Sequence, residues 1–122
     1  MSRFVPQGSY LQSSSQVNVN LYGKAQRRDQ SWIAAGANIT NLSGGLVNLD
    51  GCLQPENDPV PTTGFIPNGS YQKTTENVSS VLSAYCRKID GSWQWATLDI
   101  SKYTPANGDI ANINGELMIQ KK

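Results

Sequence analysis

The side chains that this sequence offers for chemistry are mainly neutral amides and hydroxyls, joined by a few charged groups. The 122 residues contain no histidine, which excludes Ser-His-Asp and Cys-His catalysis, histidine-ligated zinc and a histidine pH switch. The two cysteines, Cys52 and Cys86, are too few for a structural metal site without histidine. The sequence therefore predicts a protein with no metal and no cofactor.

Carboxylates are the remaining candidates for catalysis, because paired carboxylates cleave glycosides without histidine. Asp29, Asp50, Asp90 and Asp99 supply such acids, yet nothing in the sequence sets two of them across a cleft. Asp50 and Asp90 also stand in turn signals, where a structural role is common. We expect a protein that is not an enzyme, with glycoside hydrolysis as the less favoured alternative.

Charge and composition narrow the range of partners. The net charge is +1, which removes the electrostatic case for binding nucleic acid or an anionic membrane surface. No stretch approaches the apolar length that spans a bilayer. The N-terminus has no apolar segment typical of a signal peptide, so we expect a cytoplasmic protein; secretion through a cleaved leader or an unconventional route stays open.

The chain contains an internal repeat. Residues 4–10 (Phe-Val-Pro-Gln-Gly-Ser-Tyr) return as residues 65–71 (Phe-Ile-Pro-Asn-Gly-Ser-Tyr), 61 positions later. Residues 46–53 then match residues 110–117 at a shift of 64 positions. The sequence predicts one domain over 1–122, built from a repeat over 4–53, a connector over 54–64 and a repeat over 65–119.

Each copy has the pattern of β-structure. Val17, Val19 and Leu21 alternate with polar residues, which is the period of a half-buried strand. Asp50-Gly51 and Asn114-Gly115 are hairpin signals between apolar residues, and 29–30 and 90–91 indicate further turns. Neither copy shows the period of a long helix. A unit of this size buries little apolar area alone, so the copies must share a core or exchange strands. The core is expected to include Leu21, Ile39, Leu53, Leu82, Ile100 and Leu117.

The connector contains three prolines at 55, 59 and 61, which make it stiff. We interpret it as a surface loop. The alternative is a hinge that lets two chains swap halves, so the expected state is a monomer or a domain-swapped dimer.

The duplicated motifs resemble the cyanovirin-N homology family of mannose-binding lectins. Segments 4–10 and 65–71 open the two copies, and 48–53 (Asn-Leu-Asp-Gly-Cys-Leu) and 112–117 (Asn-Ile-Asn-Gly-Glu-Leu) close them. The resemblance covers nearly the whole chain outside the connector. It implies an all-β, pseudo-symmetric fold with a triple-stranded sheet and a β-hairpin from each repeat, and with strand exchange between the repeats.

The resemblance also implies two sugar pockets, each drawing residues from both repeats. The first combines the N-terminal turn, the first strand-turn and the last hairpin: Arg3, Gln7, Gln26, Arg28, Asp29, Asn112 and Asn114. The second combines the first hairpin with residues of the second repeat: Asn48, Asp50, Asn68, Arg87, Lys88 and Asp90. The second is less secure, because Ile89 stands where Arg28 offers hydrogen bonds in the first copy.

The implied function is non-catalytic binding of mannose-containing oligosaccharides or glycoproteins. Sugar hydroxyls are neutral donors and acceptors, so a site needs convergent amides, carboxylates, guanidinium groups and backbone groups. The alternative is a scaffold that kept the fold but lost its ligand or changed it to a protein or another glycan. Family members often carry one disulfide per repeat; here the matching pairs are Gly8 with Ala25 and Gly69 with Cys86. Neither pair forms a bridge, so we expect two reduced thiols.

Several side chains have two interpretations. Asn48 and Asn112 either contact a ligand or stabilise their hairpins through bonds to the backbone. Trp32 and Trp93 match each other in the repeat, which favours shared packing. Trp95 has no aromatic counterpart, since Ala34 stands there, so it stacks on a sugar, contacts another chain or is tucked away by a bulge.

Overall fold

The structure is a computed structural model that describes residues 4–57, 59 and 64–121. Within these residues the structure has eight β-strands and three short 3-10 helices, labelled here in chain order. The strands are β1 (Ser14–Gln26), β2 (Trp32–Asn38), β3 (Gly45–Leu49), β4 (Cys52–Glu56), β5 (Thr75–Arg87), β6 (Trp93–Asp99), β7 (Asp109–Ile113) and β8 (Glu116–Gln120). The 3-10 helices are η1 (Ser9–Ser13), η2 (Ser70–Lys73) and η3 (Pro105–Asn107). No helix in these described ranges is long and apolar enough to span a membrane.

The fold is all-β and repeats itself as predicted. Each copy contributes one 3-10 helix followed by a 13-residue strand, a second strand and a β-hairpin, so β1, β2 and β3–β4 correspond to β5, β6 and β7–β8. The sheet differs from the expected triple-stranded sheet of each repeat. One antiparallel four-stranded sheet, in the order β2-β1-β5-β6, serves both copies. The two copies are joined because β1 and β5 pair along most of their length, from Ser14 with Cys86 to Ala25 with Thr75.

Two irregularities interrupt the β1–β5 ladder at matching places. The register shifts between Ser15 and Asn18, and again between Tyr22 and Lys24. Gln16 in β1 and Asn77 in β5 adopt positive φ angles of 52° and 56° there. Bulges of this kind raise the local twist of a sheet, so the long strands curve over the core.

Both predicted hairpin turns are confirmed. Asp50 and Gly51 have φ angles of 51° and 93°, and Asn114 and Gly115 have φ angles of 48° and 92°. Two successive positive φ values give the turn whose twist matches that of the flanking strands, which explains the Asp-Gly and Asn-Gly sequences. The strands of each hairpin pair directly around the turn, Leu49 with Cys52 in the first copy.

The core lies between the inner face of the sheet and the two hairpins. The six core residues that the alternation predicted are all buried, with exposed fractions between 0 and 7%. They are Leu21, Ile39, Leu53, Leu82, Ile100 and Leu117. The prediction that Trp32 and Trp93 share a packing role is wrong, because these side chains are 45% and 51% exposed. Both open a strand on the outer face, which the hairpins do not cover.

One buried tyrosine anchors the beginning of each copy. The Tyr10 hydroxyl donates to the Pro6 carbonyl, and the Tyr71 hydroxyl donates to the Pro67 carbonyl, each at 2.6 Å. Burial raises the pKa of both phenols above the ordinary range. These neutral, hydrogen-bonded side chains fix the turn that precedes each 3-10 helix.

The 3-10 helix of each copy docks on the hairpin of the other copy. The Ser9 backbone N–H donates to Asp109 of β7 at 3.0 Å, so η1 lies against the second hairpin. In the mirror arrangement the Ser70 N–H donates to Glu56 of β4 at 3.1 Å, and the Leu46 N–H donates to the Asn68 carbonyl at 3.0 Å. The copies therefore exchange parts across the β1–β5 seam, and neither encloses its core alone.

The first part of the predicted connector is a strand. β4 runs to Glu56, with Pro55 opposite Leu46 on β3. Proline is tolerated at that place because β4 has no further strand beside it in the described sheets. Of the remaining connector, positions 58 and 60–63 lie outside the described residues.

Candidate functional site

Two equivalent junctions form where the tip of each hairpin meets the β-turn of its own copy. The first junction joins the turn 27–31, between β1 and β2, to the hairpin tip 48–51. The second junction joins the turn 88–92, between β5 and β6, to the hairpin tip 112–115. The two lie at opposite ends of the sheet, because antiparallel β1 and β5 place their C-terminal ends apart.

Asn48 ties the first junction together. Its amide nitrogen donates to the Gln26 carbonyl and to the Thr74 hydroxyl, both at 2.9 Å. Its amide oxygen accepts from the Gly51 N–H at 2.8 Å. The side chain thus connects the end of β1, the residue that precedes β5 of the second copy, and the hairpin turn.

Asn112 repeats this arrangement at the second junction. Its amide nitrogen donates to the Arg87 carbonyl at 2.8 Å and to the Ser13 hydroxyl at 2.9 Å, and its oxygen accepts from the Gly115 N–H at 2.8 Å. Ser13 belongs to the first copy, so each junction takes one hydroxyl from the opposite copy. These bonds agree with the interpretation that the two asparagines stabilise their hairpins. They occupy both amide protons of each side chain.

A second contact in each junction comes from the first turn residue of the hairpin. Asp50 Oδ1 accepts from the Arg28 N–H at 2.9 Å, while Asp50 Oδ2 lies 3.7 Å from Arg27 Nη2. At the second junction Asn114 Oδ1 accepts from the Ile89 N–H, also at 2.9 Å. The backbone contact is the same, but the first junction has Asp50, Arg27 and Arg28 where the second has Asn114, Lys88 and Ile89.

Asp29 and Asp90 close the two β-turns. Asp29 Oδ1 accepts from both the N–H and the hydroxyl of Ser31, and Asp90 Oδ1 accepts from the same two groups of Ser92. Hydrogen bonds from the serine hydroxyl, and then from its N–H, lower the pKa of both carboxyls. Each therefore stays ionised at neutral pH with one oxygen committed to the turn.

The first junction opens into a shallow cleft of about 230 Å³. Its walls come from both copies: Gln26, Arg27, Arg28, Asn48, Leu49, Asp50 and Thr74. Among the described residues, the Arg28 guanidinium makes no hydrogen bond or ion pair, so its donors face the cleft and the solvent. The cleft is a small polar surface in which opposite charges lie side by side.

A larger cleft of about 390 Å³ lies beside η3, and Asp99, one of the candidate acids of the sequence analysis, lines it. Most of its polar side chains form hydrogen bonds within the protein, and Lys102 is the exception among the described residues that line it. Asp99 Oδ1 accepts from the N–H and hydroxyl of Ser101, and the Tyr103 hydroxyl donates to the Gly108 carbonyl. The first junction thus offers a ligand more open hydrogen-bonding groups than this cleft.

The predicted site residues are brought together in a different grouping from the expected one. Gln26, Arg28 and Asp29, expected beside the last hairpin, lie with Asn48 and Asp50 of the first hairpin. The expected pairing with Asn112 and Asn114 is wrong in this respect. Antiparallel pairing of β1 and β5 sends the first β-turn to the end of the sheet away from the last hairpin.

The second group is divided in the same way. Arg87, Lys88 and Asp90 lie at the second junction, with Asn112 and Asn114 and not with Asn48 and Asp50. Asn68 does lie beside the first hairpin, since its carbonyl accepts from the Leu46 N–H and its amide donates to the Pro59 carbonyl.

The N-terminal members of the first group lie elsewhere. Gln7 is exposed, one residue before Gly8, whose surroundings include Asp109 and Ile110 of the last hairpin. The expected contact of the N-terminal turn with the last hairpin is therefore present. Arg3 lies outside the described residues.

Sequence reasoning missed three residues of the cleft: Arg27, Leu49 and Thr74. Thr74 had a detectable signal, because Ser13 stands at the matching position of the first copy and both residues carry a hydroxyl. Arg27 likewise matches Lys88, so both copies place a cation before the site of Arg28 and Ile89.

Neither Asp29 nor Asp90 has the environment of a general acid. A glycosidase needs a general acid whose pKa is raised. Hydrogen bonds from Ser31 and Ser92 instead lower the pKa values of Asp29 and Asp90. Within residues 4–57, 59 and 64–121, no three acidic or cysteine side chains are close enough to hold a metal ion.

The two cysteines lie in different surroundings. Cys86 is fully buried near the end of β5, with its sulfur 3.5 Å from the Ser14 hydroxyl. Cys52 is exposed at the start of β4 in the first hairpin. The core beneath the second junction therefore contains a thiol that solvent does not reach.

Comparisons with known proteins do not identify a family for this chain. No family model matches the chain, and no curated protein matches it. A search of solved structures finds NMR structures of a designed cyanovirin-N homolog lectin, 20% identical in sequence, covering 92% of this chain and 99% of that one. The TM-score of this match is 0.20.

Proposed function

We propose that this chain is a carbohydrate-binding protein that recognises mannose-containing oligosaccharides without chemically changing them. The principal site is the cleft at the first junction. Arg27, Arg28, Asp50 and Thr74 would contact the sugar, with Gln26 and Asn48 forming the floor. The second junction, with Lys88, Asp90 and Asn114, is a weaker site because it lacks the counterpart of Arg28.

The observation that carries the proposal is the balance of charge in this cleft. Arg27 lies 3.7 Å from Asp50, and Arg28 is followed directly by Asp29. Two cations beside two anions leave no net charge to attract an ionic ligand. The same four groups remain strong donors and acceptors for neutral hydroxyls, and a guanidinium group bonds two neighbouring oxygens at once.

The size of the cleft agrees with a sugar ring. Its volume of about 230 Å³ is below the range of roughly 300–1,000 Å³ that drug-sized ligands occupy. A shallow opening of this size holds one ring and leaves the rest of an oligosaccharide in solvent. Mannose is favoured over other sugars by the resemblance of the repeated motifs to the cyanovirin-N homology family.

The site supports binding more than hydrolysis. The two carboxyls with shifted pKa values are shifted downward, which keeps them from donating a proton at neutral pH. Asp50 accepts a hydrogen bond from the Arg28 N–H and lies beside Arg27, which fixes the orientation of its carboxylate. These groups suit a surface that holds a ligand reversibly.

Isothermal titration calorimetry with α-mannose oligosaccharides tests the proposal, and the duplication supplies the variants. Arg28→Ile gives the first junction the residue that the second junction has in Ile89. Loss of a charge-assisted hydrogen bond is expected to weaken binding about tenfold or more. Arg28 is exposed, so thermal unfolding should not change.

Ile89→Ala is the matched control, because it alters the corresponding position of the second junction and should leave the main affinity intact. An Arg28→Ile variant with wild-type affinity would place the sugar elsewhere. Absence of heat and of NMR shift changes with every mannose oligosaccharide would refute carbohydrate binding of this type. Release of a shortened glycan would favour a hydrolase instead.

A further inference from the structure

The outer face of the sheet carries a group of aromatic side chains at the corner formed by β5 and β6. Tyr85 pairs with Trp95 across the two strands, and Arg87 pairs with Trp93. Alternate residues of a strand share a face, so these four side chains lie on the same side. We call Tyr85, Trp93 and Trp95 the aromatic platform.

The platform is open to solvent. Tyr85 is 38% exposed, Trp93 is 51% exposed and Trp95 is 50% exposed. The Tyr85 and Trp95 rings meet edge to face, with centroids 4.8 Å apart and an interplanar angle of 65°. This contact holds the Trp95 indole in place and leaves part of it uncovered, so the surface is preformed.

The first copy lacks this surface. Lys24 and Ala34 stand at the positions of Tyr85 and Trp95, while Trp32 matches Trp93. Trp32 is 45% exposed without the other two aromatic side chains beside it. Since the first copy forms the same strands with a lysine and an alanine, the fold does not require the platform.

We propose that the aromatic platform is a second carbohydrate-binding site, which stacks on the apolar face of a pyranose ring. Aromatic ring faces carry negative charge density and attract the partially positive C–H groups of such a face. Thr97 is exposed two residues after Trp95, and Arg87 is exposed opposite Trp93. A hydroxyl and a guanidinium group therefore border the platform, where the equatorial hydroxyls of a stacked ring would lie.

The area of the platform suits a sugar better than a second copy of this chain. Aromatic side chains present about 150–250 Å² each, so three that are roughly half exposed offer on the order of 300 Å². A stable interface between proteins needs about 800 Å² from each partner. One or two sugar rings are the occupants that this area matches.

The platform and the second junction lie on opposite faces of the sheet and share only Arg87, whose carbonyl accepts from Asn112 while its side chain borders the platform. Gln94 lies between the two tryptophans and points to the inner face, where its amide donates to the Gly115 carbonyl of the hairpin tip at 3.1 Å. The tryptophans on either side of it therefore point to the opposite face of the sheet. The inference rests on the proposed function only for the class of ligand, because the site and its chemistry are different.

NMR titration of the three indole N–H signals tests the platform in the intact protein. The probes are methyl α-mannopyranoside, methyl β-glucopyranoside, methyl β-galactopyranoside and an α-mannose trisaccharide. We expect the Trp93 and Trp95 signals to shift with at least one probe while Trp32 stays unchanged. Trp95→Ala, which reproduces Ala34, should weaken this response about tenfold, and Trp32→Ala is the matched control.

Each outcome separates the platform from the first junction. Trp93 and Trp95 signals that stay fixed at saturating sugar would overturn the platform, even where Arg28→Ile abolishes binding at the cleft. Platform shifts that survive in Arg28→Ile would support it independently of the cleft. Signals that change on dilution without sugar would overturn it in favour of self-association. The wild-type measurement decides the matter even where Trp95→Ala is poorly folded.

Discussion

Asn48 and Asn112 are expected to contribute to stability to a similar degree, because each ties its junction with the same three hydrogen bonds. In Asn48→Ala the Gln26 carbonyl, the Thr74 hydroxyl and the Gly51 N–H lose partners at 2.8–2.9 Å. A buried hydrogen bond contributes about 0.5–1.5 kcal/mol net. The site is half-buried, so water replaces some of these partners, and the expected loss is about 2 kcal/mol.

This loss is large enough to measure by either heat or urea. A chain of this length loses roughly 4 °C in Tm for each kcal/mol, so Asn48→Ala and Asn112→Ala should each melt about 8 °C below wild type. Asn48→Asp is a sharper variant, because it keeps the shape and the acceptor for Gly51 but removes both donors. It should be at least as unstable as the alanine variant at neutral pH, since a carboxylate would face the Gln26 carbonyl.

Asn20→Ala is the control, because Asn20 lies on β1 and its side chain makes no hydrogen bond among the described residues. It should remain within about 0.5 kcal/mol of wild type. An Asn48→Ala variant as stable as this control would refute the structural role assigned to the amide. Unchanged stability combined with lost sugar binding would show that Asn48 contacts the ligand instead.

Two further predictions concern the β-turns. Gln30 has a φ angle of 71°, a left-handed conformation that costs a non-glycine residue about 1–2 kcal/mol. Gln30→Gly should therefore raise the free energy of unfolding, measured by urea titration, by about 1 kcal/mol. A decrease would contradict this prediction. Because hydrogen bonds from Ser31 lower the pKa of Asp29, their stabilisation is present above the ordinary aspartate pKa of about 4 and is lost as pH falls through the lowered value. Asp29→Asn should therefore flatten the fall in urea midpoint below about pH 4, and an unchanged pH profile would count against the assignment.

The elements were predictable because their signals are local. Strict alternation around Val19 and Leu21 marks β1, and Asp50-Gly51 specifies a turn that few other sequences adopt. The internal repeat then supplied the second copy of each element. Core membership followed from the same alternation, which is why the predicted leucines and isoleucines are buried.

The partners of the junctions were not predictable from such signals. Both hairpin tips read Asn-x-Asp/Asn-Gly, and both β-turns read Asp-x-Ser, so either hairpin satisfies the hydrogen bonds of either turn. The choice is decided by a non-local feature, the antiparallel pairing of β1 with β5 over most of their length. Grouping Arg28 with Asn112 failed for this reason, although each residue lies in a junction.

The exposed tryptophans show a second limit of prediction from the sequence. Trp32 and Trp93 match in the repeat, and a matched aromatic residue is consistent with a core position in both copies. A large side chain at the first position of an outer strand is half exposed when no layer covers that face, as happens here. Strand alternation gives the face of a residue but does not tell which face is covered.

The duplication separates what the fold needs from what it allows. Positions that make the same contacts in both copies, such as Asn48 and Asn112, are explained by the shared hydrogen bonds of the junctions. Other positions differ between the copies although their backbone contact is the same, so these hydrogen bonds do not explain their side chains. Arg28 and Ile89 both donate a backbone N–H to the hairpin tip, yet only Arg28 presents a guanidinium group. The same reasoning applies to Trp95.

Side chains that the fold leaves free to vary are where a ligand-binding role is to be sought, and they lie in different places in the two copies. The first copy offers a polar cleft and the second an aromatic surface, so exchanging residues between matching positions should transfer binding without disturbing the strands beneath.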